Sequence, residues 1–446
     1  MPPGPRLPRV LQTAGFMFGA PRFLEACRRR YGNAVTFRTL FDSPFVMLFD
    51  PALVKELFQG SSEQLHAGEA NALLAPVVGQ RSVLLLDGAK HLRHRKLMLP
   101  SFHGRRLQAY AEVITESADT EIEEWPVGQP FALLPRMQSL TLRVIMRAVF
   151  GYRDGAEEQA LQRALRAMID PLSRPRGMML LAALGRFADG AIARRFEGAR
   201  QGVDEILLAE IARRREDPRL GEREDVFSAL LVAQDEHGGR LSDQEVRDEL
   251  VTLLLAGHET TATGLAWTFD LLLHAPAVHT QALQRDAEYL DAVVKESLRI
   301  RPVIPAVGRV VRGEPLRLGG YVVPPGVEIN PSIRVIQRRE ELYRDAPAFR
   351  PERFLAGDAP DTYTWLPFGG GTRRCLGASF AQMEIRIVLE RVLSRCALRA
   401  GRRELEKAQL RAITLVPRDG VMVVQDRPPH ASRCVEPPGA AGRQAS

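Results

Sequence analysis

Cysteine is scarce in this chain: Cys27, Cys375, Cys396 and Cys434 are the only four in 446 residues. No two form a C-x-x-C pair, which removes the usual zinc framework, and four in so long a chain do not make a disulfide scaffold. A reducing cytoplasm is the expected compartment. Long apolar runs are missing too. Stretches such as Met178–Leu184 fall far short of the ~20 residues that a membrane helix needs. The Pro-rich segment Met1–Val10 has no apolar signal core. The protein is therefore expected to stand free of the membrane. Aromatic residues are sparse at 7%, and no dense basic tail accompanies the net charge of +7. Arginine is spread along the whole chain, which argues against nucleic acid and for a solvated surface or an acidic protein partner.

The composition is otherwise that of a soluble globular protein, with 45% hydrophobic and 26% charged residues. Leu, Ala and Arg dominate, a mix that favours helices. At roughly 150 residues per domain the length suggests two or three units, but there is no Gly/Ser linker and no internal repeat. The expected architecture is one mainly α unit with a minor β portion over residues 21–426. It follows an extended Pro-rich lead-in, 1–20, and precedes a Pro-, Gly- and Ala-rich tail, 427–446, expected to be disordered. Strand-like runs stand at Ala34–Phe37, Phe45–Leu48, Val307–Val311, Tyr321–Val323, Val327–Ile329, Ile413–Val416 and Val421–Val424. Between about Ala118 and Leu298 the pattern is helical. Ser242 with Glu245 forms a capping box opening a helix that runs to about His274, ~33 residues and ~50 Å. A further helix spans about Ala378–Ser394.

The sharpest feature is the run from Phe368 to Gly377, with Gly369, Gly370, Gly371, Arg373, Arg374 and Cys375 inside it. Its glycines allow tight turns and close approach to a flat partner. Cys375 lies just before a helix start and beside two arginines, which favours an anionic sulfur. On residue chemistry alone, a metal-binding thiolate and a small buried hydrophobe are both open. A phosphate loop is disfavoured, because no Gly-Lys-Ser/Thr follows and Arg374 replaces the third glycine of a dinucleotide fingerprint.

This segment resembles the haem-binding signature of the cytochromes P-450, F-x-x-G-x-R-x-C-x-G, at Phe368, Gly371, Arg373, Cys375 and Gly377. Three further motifs follow the family's order. Ala256-Gly257-His258-Glu259-Thr260-Thr261 resembles the oxygen-activation motif. Glu296-Ser297-Leu298-Arg299 resembles E-x-x-R, with Arg353 in Pro351-Glu352-Arg353-Phe354 completing a structural triad. Asp87–Lys96, with His91 and Arg95 on one helical face, resembles the helix at the haem edge. Alone, each of these reads equally as an ordinary helix, a common ion pair or a solvated basic face.

The resemblance implies the cytochrome P-450 fold, with haem b between the long central helix and the cysteine-loop helix and Cys375 as the metal ligand. His91, Arg95 and Arg309 would reach the propionates, and Phe368, Gly369, Arg373 and Gly377 would complete the cofactor site. Thr260 would hydrogen-bond dioxygen, and Glu259 would relay protons to it; the threonine can also bond back to the Ala256 carbonyl and loosen the helix. The implied pocket draws on residues 66–86 and 168–190, with Leu253, Ala256, Val303, Ile304, Ala306, Val307, Ile413 and Thr414. These apolar walls suit a fatty acid, terpenoid or steroid-like substrate.

The implied reaction inserts one atom of O2 into such a molecule. No flavin or nicotinamide segment follows the haem motif, so electrons would come from a separate ferredoxin and its NAD(P)H-dependent reductase. The carrier would dock on a face lined by Arg373, Arg374, Arg93 and Lys96, and the enzyme would be a monomer. Two rivals share Cys375: a haem-based sensor, which needs neither Glu259 nor Thr260, and a peroxide-driven or isomerising haem-thiolate enzyme.

Overall fold

The long helix that the capping box announces is the axis of the molecule. In the computed structural model, which describes residues 1–40, 44–152, 155–169, 191–355 and 360–426, it spans Asp243–Leu273. Ser242 Oγ accepts from the Glu245 N–H, and the Glu245 carboxylate accepts from the Ser242 N–H. Its 31 residues make it about 47 Å long. Two sequence expectations, the tail from Arg427 and the pocket wall at 170–190 with its apolar run, lie outside the described residues.

Counting helices of seven residues or more, the described order is α1 Arg9–Tyr31, α2 Pro51–Gln59, α3 Gly88–Met98, α4 Arg105–Glu123, α5 Leu133–Ala148, α6 Ala156–Ile169, α7 Ala191–Arg215, α8 Val226–Val232, α9 Asp243–Leu273, α10 Pro276–Ala282, α11 Ala287–Ile300 and α12 Ala378–Arg395. The central helix α9 packs on α5, α11 and α12. Its apolar residues join one large core that includes Leu250, Leu254, Leu265 and Phe269. Among the described residues, no helix is long and apolar enough to cross a membrane.

The β portion is small. The main sheet contains β1 Ala34–Phe37, β2 Phe45–Leu48, β3 Leu65–His66, β5 Arg309–Val311 and β8 Glu328–Pro331, in the order β1-β2-β8-β5-β3. Strands β4 Pro130–Ala132, β9 Leu398–Ala400 and β12 Met422–Gln425 form a second sheet, β6 Leu316–Leu318 and β7 Tyr321–Val323 a hairpin, and β10 Ala408–Arg411 and β11 Thr414–Pro417 another. The sheet core under β1, β2, β5 and β8 is separate from the helical core.

The lead-in departs from expectation. Only residues 1–8 are extended, and helix begins at Arg9. Pro21 lies inside α1, where it removes a donor and crowds the preceding turn. The chain absorbs this by bending at Gly19, whose φ of −141° and ψ of 21° leave the helical region. Buried Gln12 ties the segment down: its amide donates to the Pro5 and Leu7 carbonyls and its oxygen accepts from the Arg38 N–H.

Candidate functional site

The cysteine loop is built as a set of tight turns. Gly369 N–H donates to the Leu366 carbonyl at 2.9 Å, Arg374 N–H to Gly371 at 3.1 Å, and Cys375 N–H to Phe368 at 2.9 Å. Gly369 and Gly371 adopt φ of +66° and +64°, a region that L side chains avoid. Gly371 also lies against α2: a Cβ there would stand 2.3 Å from the Phe58 carbonyl oxygen. At Gly369 and Gly377, by contrast, a Cβ would meet nothing within 4 Å. Both glycines border open space.

Cys375 itself has accessible surface although it is deep within the bulk of the protein. Opposing influences act on the Cys375 thiol. Burial is the dominant influence and pushes the thiol up; the Gly377 N–H and the charges of Arg95 and Arg374 pull it down without prevailing. A bound metal ion would supply the stabilisation that the protein groups do not.

The loop is held from behind by α11. Glu296 and Arg299 are both fully buried and pair through Nε–Oε2 at 2.6 Å and Nη2–Oε1 at 2.8 Å. Arg353 Nε reaches Glu296 at 3.3 Å, and the Arg350 N–H adds a bond of 3.0 Å. Arg299 also donates to the carbonyls of Gln337 and Ala346. Gln337 passes the constraint on: its amide donates to the Leu298 and Arg299 carbonyls, and its oxygen accepts from the Leu366 N–H at 2.7 Å. Leu366 is the first anchor of the cysteine loop. The triad thus braces the loop through Gln337, a residue that no spacing rule singles out.

Above the loop lies a cluster of cations with few acids. His91 is buried, its Nδ1 has no partner among the described residues, and burial plus the charges of Arg373, Arg95 and Arg309 lower it to about 3. Burial also lowers Arg309 to about 10. Arg373 is likewise lowered to about 10 by burial, and it donates to the Val83 and Leu86 carbonyls and to Asp87. Arg95 is lowered by burial too. An orphan buried imidazole and desolvated guanidiniums call for anionic oxygens. Together with the exposed Cys375 and the open space at Gly369 and Gly377, they fit a flat dianionic porphyrin carrying iron.

The middle of α9 supplies the other wall. The helix is buried over Val246–Thr252 and Thr261–Leu272, yet Ala256 between these stretches is exposed. Thr260 Oγ1 donates to the Ala256 carbonyl. Helix α5 presses on this stretch with one face: Ile145 fills the space where a Gly257 Cβ would go, at 2.7 Å. Thr141 donates to the His258 carbonyl at 3.1 Å, and Gln138 donates to Glu259 Oε2 at 2.7 Å. Burial lowers His258 to about 4. Gly264, one turn past Thr260, lets α9 meet α12, its Cβ position 3.1 Å from Ile385.

The remaining residues singled out by resemblance scatter. Leu253 and Val303 belong to the helical core, Val307 packs on the sheet core, and Ala306 on a third cluster under α1. Ile304 is half-buried. Ile413 is exposed at a hairpin tip, and Thr414 is buried and bonded to the Arg411 carbonyl. Phe368 packs edge-on against Trp365. On the expected docking face, Arg374 and Lys96 are exposed. Arg93 and Arg373 are not free for a partner: Arg93 pairs with Asp235 and Glu245, and Arg373 is bound as described.

Comparison with known proteins identifies the class. The cytochrome P-450 family model matches residues 1–423. Cytochrome P-450 135B1 of Mycobacterium tuberculosis is 40% identical over 436 residues, 95% of this chain and 91% of that protein. Cytochrome P-450 137 of the same organism is 40% identical over 433 residues, 95% and 90%. Retinoic acid-bound cyanobacterial CYP120A1 superposes with a TM-score of 0.81 at 22% identity, over 95% of this chain and 99% of that one. The cytochrome P450DA haem domain gives 0.80 at 23%, over 96% and 98%. The chain belongs to the cytochrome P-450 family. It is a haem-thiolate monooxygenase, with haem b as cofactor, that takes electrons from redox partners and acts with O2 on an organic substrate.

Proposed function

We propose that Cys375 would hold the haem iron through its sulfur, with the haem between α9 and α12, and that the enzyme hydroxylates an apolar molecule of the fatty-acid, terpenoid or steroid class. The observation that carries the assignment is Cys375, exposed at its own surface yet deep in the protein, together with the orphan buried His91 imidazole and the desolvated guanidiniums of Arg95, Arg309 and Arg373. His91, Arg95, Arg309 and Arg373 would hold the propionates, and Phe368, Gly369 and Gly377 would border the ring. When bound, the haem supplies oxygen activation and atom transfer.

The chain's own part is positioning and proton handling. Thr260 keeps a hydroxyl proton at the exposed stretch of α9 where dioxygen would lie, and Glu259 replenishes it. Leu253, Ala256 and Val303 give substrate an apolar wall, and Ile413 marks its far edge. CYP120A1, which shares the fold, was solved with retinoic acid, a largely apolar molecule. Electrons would arrive from a ferredoxin and its NAD(P)H-dependent reductase in the cytoplasm, docking near exposed Arg374 and Lys96, so reduction should slow as salt rises.

The test is a difference spectrum of the purified holoprotein titrated with dodecanoic acid, a monoterpene and a steroid. The reading expects one class to shift the Soret band to the high-spin position. No shift with any of the three would contradict the apolar substrate assignment.

A further inference from the structure

Glu259 does not point its acid at Thr260. Among the described residues, no hydrogen bond joins the two side chains, and the Thr260 hydroxyl is engaged with the Ala256 carbonyl. The Glu259 carboxylate is gripped elsewhere. Its Oε2 accepts from Gln138 Nε2 at 2.7 Å, and its Oε1 lies 3.7 Å from Arg411 Nη1. Oε1 is buried and makes no hydrogen bond among the described residues. The carboxylate is therefore held firmly by one atom and loosely by the other.

The two holders sit on different elements. Gln138 lies on α5, on the face that also carries Thr141 and Ile145 against α9, so it is fixed. Arg411 ends β10, and its strand pairs with β11 in the register Arg411–Thr414. Only Ala412 and Ile413 separate them. Ala412 is forced to φ of +48°, a strained value for a residue with a Cβ. Ile413 is 41% exposed. The hairpin is anchored at Leu415, one residue from its last pair: the Leu415 N–H donates to the Val303 carbonyl at 2.7 Å, and the Leu415 carbonyl accepts from Trp267 Nε1 at 2.9 Å. The strand is fixed at Leu415 while the turn at Ala412 and Ile413 is strained and exposed, so displacement of the turn moves Arg411 first.

We infer that Gln138 and Arg411 are positioning residues that park the Glu259 carboxylate away from Thr260, and that the β10–β11 hairpin is the arm that releases it. This rests on the assignment of Glu259 and Thr260 to proton delivery. A molecule seated against Ile413 displaces Arg411 and frees Oε1, which takes a proton from solvent water, and the carboxyl so formed swings to the threonine and passes that proton on. Proton delivery is then tied to occupancy of the wall formed by the hairpin and Val303.

The holoprotein is reduced with dithionite, freed of excess reductant and mixed with air-saturated buffer. Recovery of the oxidised Soret absorption is timed in H2O and in D2O, with no substrate present. Arg411→Gln should speed recovery about two- to fivefold, the factor a partly exposed ion pair contributes to an equilibrium. Gln138→Leu should act in the same direction at least as strongly, because its bond to the carboxylate is charge-assisted. The gain should shrink in D2O, and in a Glu259→Gln background both substitutions should be silent. An unchanged rate in Arg411→Gln, or an equal gain in the Glu259→Gln background, overturns the inference. The carbon monoxide difference band is recorded for every protein. Its absence from the wild type would overturn the haem-thiolate assignment itself, whereas an intact band with an unaltered rate overturns the holder alone.

Discussion

Replacing Glu296 with glutamine tests how the cysteine loop is held. Glu296 accepts four hydrogen bonds: two from Arg299, one from Arg353 and one from the Arg350 N–H. Neither side chain of the central pair has any exposure. Glutamine keeps the shape but removes the only anion among the described residues that faces Arg299 within hydrogen-bond distance, and it turns an NH2 group toward donors. Arg299 would retain the Gln337 and Ala346 carbonyls, which neutralise no charge. An uncompensated buried charge of this kind costs about 3–5 kcal/mol. A protein of ordinary stability, about 5–15 kcal/mol, would lose a large share of its margin. The loss should concentrate on the path from Arg299 through Gln337 to Leu366, so the haem site should fail early. The assay is urea titration of the holoprotein, following the Soret band and far-UV circular dichroism together. Both midpoints should fall in Glu296→Gln, with the Soret transition moving first. A variant that retains full haem content and a midpoint within the equivalent of about 0.5 kcal/mol would refute the role of the triad.

Other outcomes follow from the same geometry. Gly371→Ala should lower the haem-to-protein ratio at purification, because a side chain at φ +64° costs about 1–2 kcal/mol and would collide with the Phe58 carbonyl. Thr260→Ala should keep consuming reductant while diverting electrons from product to hydrogen peroxide, measured by peroxide assay. A sensor would show no such diversion. His258 is lowered from 6.5 to about 4, chiefly by burial. The unfolded chain takes up a proton below about pH 6.5 that the folded chain refuses, so stability present above that pH drains away between about 6.5 and 4, by at most about 3 kcal/mol. His258→Gln should therefore narrow the difference in urea midpoint between pH 7 and pH 5.

The parts of the site that rest on local pattern were legible in the sequence. The capping box of α9 and the Cys375 loop depend on residues within ten positions of one another, and Glu296 and Arg299 are three apart on one helix. The strands Ala34–Phe37, Phe45–Leu48 and Tyr321–Val323 were bounded by clear turn residues. What escaped depends on distant contacts. Gln138 and Arg411 converge on Glu259 from 121 residues before and 152 after it, and neither belongs to a motif. Gln337 links the triad to the loop only because β8 and the turn after it return past α11. The helix that begins at Arg9 was missed because the Pro-rich start was read as an extended lead-in as far as residue 20; the chain bends at Gly19 and continues as helix. The arginines that pull the Cys375 thiol down are visible in sequence, whereas the burial that pushes it up is not.

The account stands most directly on the spectrum of the reduced protein under carbon monoxide. The wild type should show the strongly red-shifted Soret band of a thiolate-ligated haem, and Cys375→Ser should lose it while still binding haem or should purify without haem. A wild type lacking that band, or a serine variant that keeps it, would contradict the assignment of the sulfur.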